Sequence, residues 1–122
     1  LDLNFTEIDE IHFNRLHLES VFLNLISNAI KYRSKERKLF IKITSKQEGK
    51  YVVIEFKDNG MGIDLERYKD RIFGMYQRFH AGKEGKGLGL YMIKAQVLAM
   101  GGKIEVESEL GKGSIFKIYL KK

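Results

Sequence analysis

The apolar residues of the chain follow a helical spacing twice, and each helical stretch is followed by two alternating stretches. Over residues 14–32 apolar side chains return every three or four positions, which predicts an amphipathic helix with Asn14 as its N-cap. A second helical stripe covers residues 90–100 and ends at Gly101 and Gly102, which are typical of a helix C-cap. The stripe residues are Leu18, Phe22, Leu25, Ile26, Ala29 and Ile30 in the first helix and Leu90, Ile93, Val97 and Met100 in the second.

Each predicted helix precedes two β-rich runs that are separated by a short turn-forming segment. Residues 40–44 and 51–56 flank the segment 46–50, and residues 103–108 and 115–120 flank Gly111 and Gly113. Residues 1–13 predict a short strand and a loop, and residues 65–72 a short helix. Helices that alternate with hairpins predict an α+β fold, a two-layer α/β sandwich whose mixed, mostly antiparallel sheet is covered on one face by helices.

Size and composition narrow the function classes. A chain of 122 residues predicts a single domain over residues 1–122. No uncharged apolar window is long enough for a membrane span, so we expect no direct membrane insertion and a cytoplasmic location, with membrane anchoring of a parent protein left open. The absence of cysteine excludes disulfide frameworks and zinc–thiolate sites. The net charge of +6 favours an anionic partner, above all phosphate.

One face of the first predicted helix is polar. At about 100° per residue, Asn24, Asn28, Lys31 and Tyr32 fall within an arc of about 100°. A solvated face is one interpretation. The other is a ligand face, because amide oxygens suit a hard cation, an ammonium group suits phosphate and an aromatic ring can stack.

An acidic, glycine-containing segment, residues 58–64, follows the second predicted strand. Its Asn59–Gly60 dipeptide is common in turns, so a plain turn is one interpretation. In the functional interpretation, Asp58 accepts a hydrogen bond from the exocyclic amine of a base. Gly60 and Gly62 would then allow the backbone to approach the ring closely.

Three alternating glycines, Gly85, Gly87 and Gly89, come directly before the second predicted helix. Free N–H groups at such a helix start can bind an anion, which the helix dipole reinforces. The segment matches neither the Walker A nor the Rossmann pattern. A flexible loop is the alternative interpretation, but nearby basic residues favour phosphate, namely Arg78, His80, Lys83 and Lys86.

These segments, in this order, resemble the motifs of a known family. The chain is similar to the ATP-binding catalytic domain of bacterial sensor histidine kinases, members of the GHKL superfamily with the Bergerat fold. The resemblance covers residues 14–120. It comprises an N box at residues 23–32, a first glycine box at 58–62, an F box at 72–79, a second glycine box at 85–90 and a last glycine motif at 111–114.

The resemblance implies ATP and Mg²⁺ as cofactors. By position, Asn28 would bind Mg²⁺, with Asn24 near the metal or the phosphates, while Lys31 would reach a phosphate. Tyr32 would pack on the adenine, and Asp58 would accept a hydrogen bond from the amino group of the adenine. The implied catalytic residues are Asn28, Lys31 and Arg78. The implied nucleotide-binding residues are Asn24, Asn28, Lys31, Tyr32, Asp58, Gly60, Gly62, Ile63, Phe73, Gly85, Lys86, Gly87, Leu88 and Gly89.

The segment after the F box departs from the family pattern. Only residues 80–84 separate Phe79 from the second glycine box, which predicts a short ATP lid that Phe73 and Phe79 anchor by packing. Arg78 stands where the family often has a basic residue near the γ-phosphate. The short lid leaves Lys83 and Lys86 as alternatives for that role.

The resemblance also implies partners. None of the histidines, His12, His17 and His80, has the flanking pattern of a phosphoacceptor. We therefore expect the acceptor on an upstream dimerisation domain, with a response regulator as an indirect partner. A GHKL ATPase is an alternative, but it needs a glutamate base where this chain has Asn24. An anti-sigma-type serine kinase stays open, and no nucleic-acid partner is expected.

Overall fold

The computed structural model describes residues 2–4, 15–68, 73 and 89–121. In that part of the chain, helices and strands alternate as the sequence predicts. The helices are α1 (Arg15–Lys31), α2 (Leu65–Tyr68) and α3 (Gly89–Ala99). The strands are β1 (Asp2–Asn4), β2 (Ile41–Glu48), β3 (Tyr51–Asp58), β4 (Lys103–Glu109) and β5 (Gly113–Lys121).

The described strands form one sheet in the order β1-β2-β3-β5-β4. β1 runs parallel to β2, and the other three pairs are antiparallel. The predicted mixed, mostly antiparallel sheet and both predicted hairpins are therefore confirmed. The first turn is shorter than residues 46–50, because β2 continues to Glu48 and the positive φ of Gly49, 61°, permits a tight turn.

The hydrophobic core lies between one face of the sheet and the helices α1 and α3. The strand register places Ile43 beside Phe56, Phe56 beside Phe116, and Ile54 beside Ile118. Because side chains alternate along a strand, these residues share one face. They pack with buried residues of the two helices, namely Val21, Leu25, Ala29, Ile93 and Val97. Both helices therefore cover the same face of the sheet.

The opposite face of the sheet carries charged and aromatic side chains. Lys117 Nζ lies 3.0 Å from Glu107 Oε1 and 3.9 Å from Glu55 Oε1. Lys103 Nζ stands over two rings, 5.4 Å from the centroid of Tyr51 and 4.6 Å from that of Tyr119. A polar face opposite the helix layer is what a two-layer sandwich requires, and the predicted fold class is confirmed.

Two glycines end α3 and connect it to β4. Gly101 has a φ of 75°, and its N–H donates to the carbonyl of Leu98 at 3.0 Å. The N–H of Gly102 donates to the carbonyl of Val97, also at 3.0 Å, which completes a Schellman motif. A Cβ on Gly102 would overlap the carbonyl oxygen of Tyr119, so only glycine allows this close approach of the helix end to β5.

The described helices are short compared with a bilayer. The longest, α1, has 17 residues, and no helix in the described ranges is long and apolar enough to cross a membrane.

Leu25 and Leu23 provide a matched test of the packing of α1. We expect Leu25→Ala to lower the free energy of unfolding by about 2–5 kcal/mol, because this core side chain is 1% exposed. Leu23→Ala should lower it by less than about 0.5 kcal/mol, because Leu23 is 67% exposed. Urea unfolding followed by circular dichroism measures both values, and equal losses would contradict the orientation of the helix.

Candidate nucleotide-binding site

Asp58 is the last residue of β3 and lies on the sheet face that carries the core. The register places it between Ile41 of β2 and Ser114 of β5. Burial raises the pKa of the Asp58 carboxyl above its usual value, and hydrogen bonds from the N–H groups of Gly60 and Ser114 act in the opposite direction. The bond from Gly60 N to Asp58 Oδ1 is 2.8 Å long. The carboxylate is thus half-buried at the end of the central strand.

Gly60 lies where the loop after β3 meets the end of α1. A Cβ at this position would lie 2.8 Å from the carbonyl oxygen of Tyr32 and 3.0 Å from Asp58 Oδ1, so a side chain would force the loop to move. The next residue, Met61, donates its N–H to the same Tyr32 oxygen at 2.9 Å. The first glycine of the predicted Asp-x-Gly-x-Gly motif therefore permits direct contact between the loop and the helix.

Gly62 lies on the other side of the loop, against the turn between β4 and β5. Its φ is 71°, and a Cβ would overlap the carbonyl oxygen of Glu109. The N–H of Gly111 donates to the carbonyl of Met61 at 2.8 Å. Gly113, with a φ of 128°, approaches the carbonyl of Asp58 so closely that a Cβ would overlap it. The structure therefore brings the first and the last glycine motifs into contact.

Hydrogen bonds of two serine hydroxyls hold the end of this loop. Ser108 Oγ accepts a hydrogen bond from the N–H of Ile63 at 2.8 Å and donates to the carbonyl of Gly113 at 2.9 Å. It also lies 2.7 Å from Ser114 Oγ. Because the single proton of Ser108 goes to Gly113, Ser114 is the donor to Ser108 in this arrangement. The loop end is thus held by β4 and β5 together.

The polar face predicted for the first helix lies on α1. Asn24, Asn28, Lys31 and Tyr32 are all half-buried. Asn24 and Asn28 are one helical turn apart, and Lys31 Nζ lies 5.3 Å from the centroid of the Tyr32 ring. Because the carbonyl of Tyr32 contacts the loop after Asp58, the end of this face adjoins the loop. The structure therefore brings the N box next to the first glycine box.

The donor set on α1 fits a Mg²⁺ ion that is held mainly by a nucleotide. The described residues contain no group of three His, Cys, Asp or Glu side chains that could hold a metal by themselves. Mg²⁺ commonly takes one or two protein oxygens and completes its octahedron with phosphates and water. The side-chain oxygen of Asn28 suits such a site, with that of Asn24 one turn away.

Several predicted site residues lie outside the described residues. These are Arg78, Gly85, Lys86, Gly87 and Leu88, together with the alternative cation Lys83 and the predicted anchor Phe79. Three further predicted site residues belong to the described part of the chain. Gly89 is the first residue of α3, and Ile63 is buried. Phe73 packs against the core, with Lys94 Nζ 5.3 Å from its ring centroid.

Sequence reasoning missed Arg37, Asn59 and Ser108. Arg37 donates to the carbonyls of Asn59 and Gly60, and the Asn59 side chain bonds to the backbone of Lys38 and Phe40. In the sequence, Arg37 is one of several cations in a basic run, and Ser108 belongs to an ordinary alternating strand. No local pattern distinguishes them, because the carbonyls that Arg37 binds lie 22 and 23 residues away and the loop N–H that Ser108 binds lies 45 residues away.

Comparison with known families gives a match over most of the chain. Residues 13–122 match the profile described as histidine kinase-, DNA gyrase B-, and HSP90-like ATPase. Relatives include the methanogenesis regulatory histidine kinase FilI of Methanothrix harundinacea, 31% identical over 85% of this chain and 12% of that protein. Sensor protein RprX of Bacteroides fragilis is 35% identical over 90% of this chain and 22% of its own length. The chain thus spans a minor part of these relatives.

Solved structures show the same fold. The nucleotide-free catalytic domain of histidine kinase ThkA superposes with a TM-score of 0.74 at 29% identity, over 90% of this chain and 70% of that one. The mycobacterial sensor histidine kinase MprB gives a TM-score of 0.74 at 24% identity, over 88% of this chain and 72% of that one. The expected resemblance to histidine kinase catalytic domains, with their Bergerat fold, is therefore confirmed.

The raised pKa of Asp58 predicts a pH-dependent contribution to stability. The folded chain holds this proton more tightly than the unfolded chain, so the contribution of Asp58 falls as the pH rises from the usual value of 3.8 through the raised pKa. We therefore expect Asp58→Asn, without nucleotide, to be at least as stable as the wild type near neutral pH. This advantage should shrink at about pH 4.

Thermal unfolding of both proteins at the two pH values measures this difference. Glu66→Gln is the control for loss of one negative charge, because Glu66 is exposed on the neighbouring helix α2. A larger loss of stability for Asp58→Asn at neutral than at acid pH would contradict the sign of the shift.

Proposed function

Because the chain belongs to the family of histidine kinase-, DNA gyrase B-, and HSP90-like ATPases, we propose that it binds Mg-ATP and donates the γ-phosphoryl group to a histidine of another domain. One observation carries this proposal. A half-buried carboxylate at the end of β3 accepts the N–H of Gly60, and Gly60 in turn contacts the carbonyl of Tyr32 at the end of the amide-bearing helix α1. That arrangement supports a nucleotide with its base at Asp58 and its phosphates toward Asn28.

The base end of the site follows from the chemistry of Asp58. An ionised carboxylate only accepts hydrogen bonds, and the 6-amino group of adenine is a donor. The half-burial of Asp58 strengthens such a bond, because less water competes for the oxygens. Gly60 and Gly62 let the loop after Asp58 lie against Tyr32 and Glu109, and the Tyr32 ring would pack on the base.

The phosphate end of the site depends on α1. The side-chain oxygen of Asn28 would be a ligand of Mg²⁺, and the ammonium group of Lys31 would contact a phosphate. Mg²⁺, when bound, supplies neutralisation of phosphate charge. In the transfer, the bond between the γ-phosphorus and the bridging oxygen breaks, a bond to an imidazole nitrogen forms, and ADP leaves. The part of the chain between residues 74 and 88 would supply further cations.

The partners follow from the same proposal. The named relatives are sensor histidine kinases several times longer than this chain, which supports further domains in the parent protein. We place the acceptor histidine on an upstream dimerisation domain, with a response regulator as the indirect recipient. Because ATP is an intracellular metabolite, the domain would work on the cytoplasmic side even where the parent is anchored in a membrane.

Asn28→Ala tests the metal end of the site. In the presence of Mg²⁺ we expect this variant to bind ATP about tenfold more weakly than the wild type, because Mg²⁺ loses a protein ligand. In a chelator the two proteins should bind ATP almost equally. Ser27→Ala is the control, because Ser27 is exposed on the same helix. Calorimetric titrations under both conditions measure the difference, and equal losses with and without Mg²⁺ would assign Asn28 a structural role.

Asn24 tests transfer against hydrolysis. We expect the wild-type chain alone to hydrolyse ATP negligibly, because an amide cannot take a proton from water and a general base contributes about 10²–10⁴ in rate. A histidine acceptor brings its own nucleophile, so it tolerates an amide here. Asn24→Glu should increase phosphate release. Asn24→Gln should not, because glutamine is as long as glutamate but cannot act as a base. Turnover by the wild type at about 1 per second or faster would favour an ATPase.

A further inference from the structure

We propose that Arg37 is a positioning residue that orients Asp58 and thereby sets the preference of the site for a 6-amino purine. This inference rests on the proposed function, in which Asp58 receives the base. Arg37 Nε and Nη2 donate to the carbonyl of Asn59 at 3.1 and 2.9 Å. The same Nη2 donates to the carbonyl of Gly60 at 2.8 Å. One guanidinium group thus fixes two successive peptide units of the loop.

The planar peptide bond transmits this constraint to Asp58. In a trans peptide the C=O and the following N–H point in opposite directions. Arg37 holds the carbonyl of Asn59, so the N–H of Gly60 in the same peptide unit points away from Arg37, and it donates to Asp58 Oδ1 at 2.8 Å. Together with the N–H of Ser114, that bond restricts the orientation of the carboxylate.

The second peptide unit connects the same group to α1. Arg37 holds the carbonyl of Gly60, and the N–H of Met61 in that unit donates to the carbonyl of Tyr32 at 2.9 Å. The position of Asp58 relative to the helix is therefore fixed through the same arginine. Arg37 acts on the base-binding carboxylate and on the contact with α1 without reaching the base itself.

The side chain of Asn59, a loop residue, in turn hydrogen-bonds to the backbone next to Arg37. Asn59 Oδ1 accepts from the N–H of Phe40 at 2.8 Å, and Asn59 Nδ2 donates to the carbonyl of Lys38 at 2.9 Å. These bonds hold the backbone next to Arg37 beside the loop. A planar guanidinium can bridge two neighbouring carbonyls, which a lysine ammonium on a flexible stem does less well. Arg37 forms no ion pair with any described residue, so this contact is its defined role in the structure.

Loss of Arg37 should leave the fold intact. The carbonyl of Asn59 lies at an exposed position, where water can replace the guanidinium, whereas the carbonyl of Gly60 is part-buried. The loop keeps its bonds from Met61 to Tyr32, from Gly111 to Met61 and from Ile63 to Ser108. What is lost is the fixed direction of the Gly60 N–H, and with it one of the two N–H bonds that orient the Asp58 carboxylate.

Binding of two nucleotides to the chain with Mg²⁺ tests this inference. The probes are ATP and purine riboside triphosphate, in which hydrogen replaces the 6-amino group. We expect Arg37→Ala to weaken ATP binding about tenfold and to leave binding of the analogue within about twofold. Arg37→Lys should lose an intermediate amount. Lys35→Ala removes one positive charge from the same exposed loop and should change neither affinity.

A double-mutant cycle with Asp58→Asn separates positioning from a general structural effect. If Arg37 acts through Asp58, Arg37→Ala should cause no further loss of ATP affinity in the Asp58→Asn background. Additive losses, or equal losses for ATP and the analogue, would overturn the inference and leave the proposed function standing. No ATP binding by the wild type, or equal wild-type affinity for both nucleotides, would overturn the adenine assignment of Asp58 and this inference with it.

Discussion

The close approach of one loop to two distant parts of the chain determines the shape of the candidate site. The loop after Asp58 contacts the carbonyl of Tyr32, directly after α1, and it also contacts the turn between β4 and β5. Gly60 and Gly62 make these approaches possible, because a Cβ on either would collide with backbone oxygen that cannot rotate away. The spacing of the two glycines is therefore a steric requirement of the fold as much as of a ligand.

The elements of the fold could be predicted because their signal is local. A helical stripe such as that around Leu25 or Val97, and the alternation in β5, each fit within a window of about ten residues. The predicted extent of the first turn, residues 46–50, was wrong. Only the positive φ of Gly49 distinguishes a tight turn from a five-residue turn. Nothing in residues 2–4 indicated a parallel partner for that strand, since pairing direction depends on distant residues.

The residues of the candidate site also differ in whether their signal in the sequence is local. Asp58, Gly60 and Gly62 could be named because a carboxylate and two glycines form a recognisable pattern within five residues. Arg37 and Ser108 could not, because their function comes from backbone groups that are remote in sequence. Many polar side chains that are long enough can bind a backbone group. The residue type at such a position therefore says little about whether the contact forms. Positioning residues are therefore harder to predict than the residues they position.

The half-burial of Asp58 gives a reason for the two N–H groups that point at its carboxylate. A carboxylate taken partly out of water destabilises the empty fold, as the direction of its pKa shift indicates, and N–H donors from Gly60 and Ser114 offset part of that cost. The same donors restrict the orientation in which the carboxylate can accept a further hydrogen bond. In the proposed phosphoryl transfer, where catalysis would depend mainly on positioning, a base held in one orientation would also orient the phosphates at the far end of the nucleotide. Under the proposed function, an amide at Asn24 in place of a base would let the site hold ATP until a nucleophile arrives from another domain.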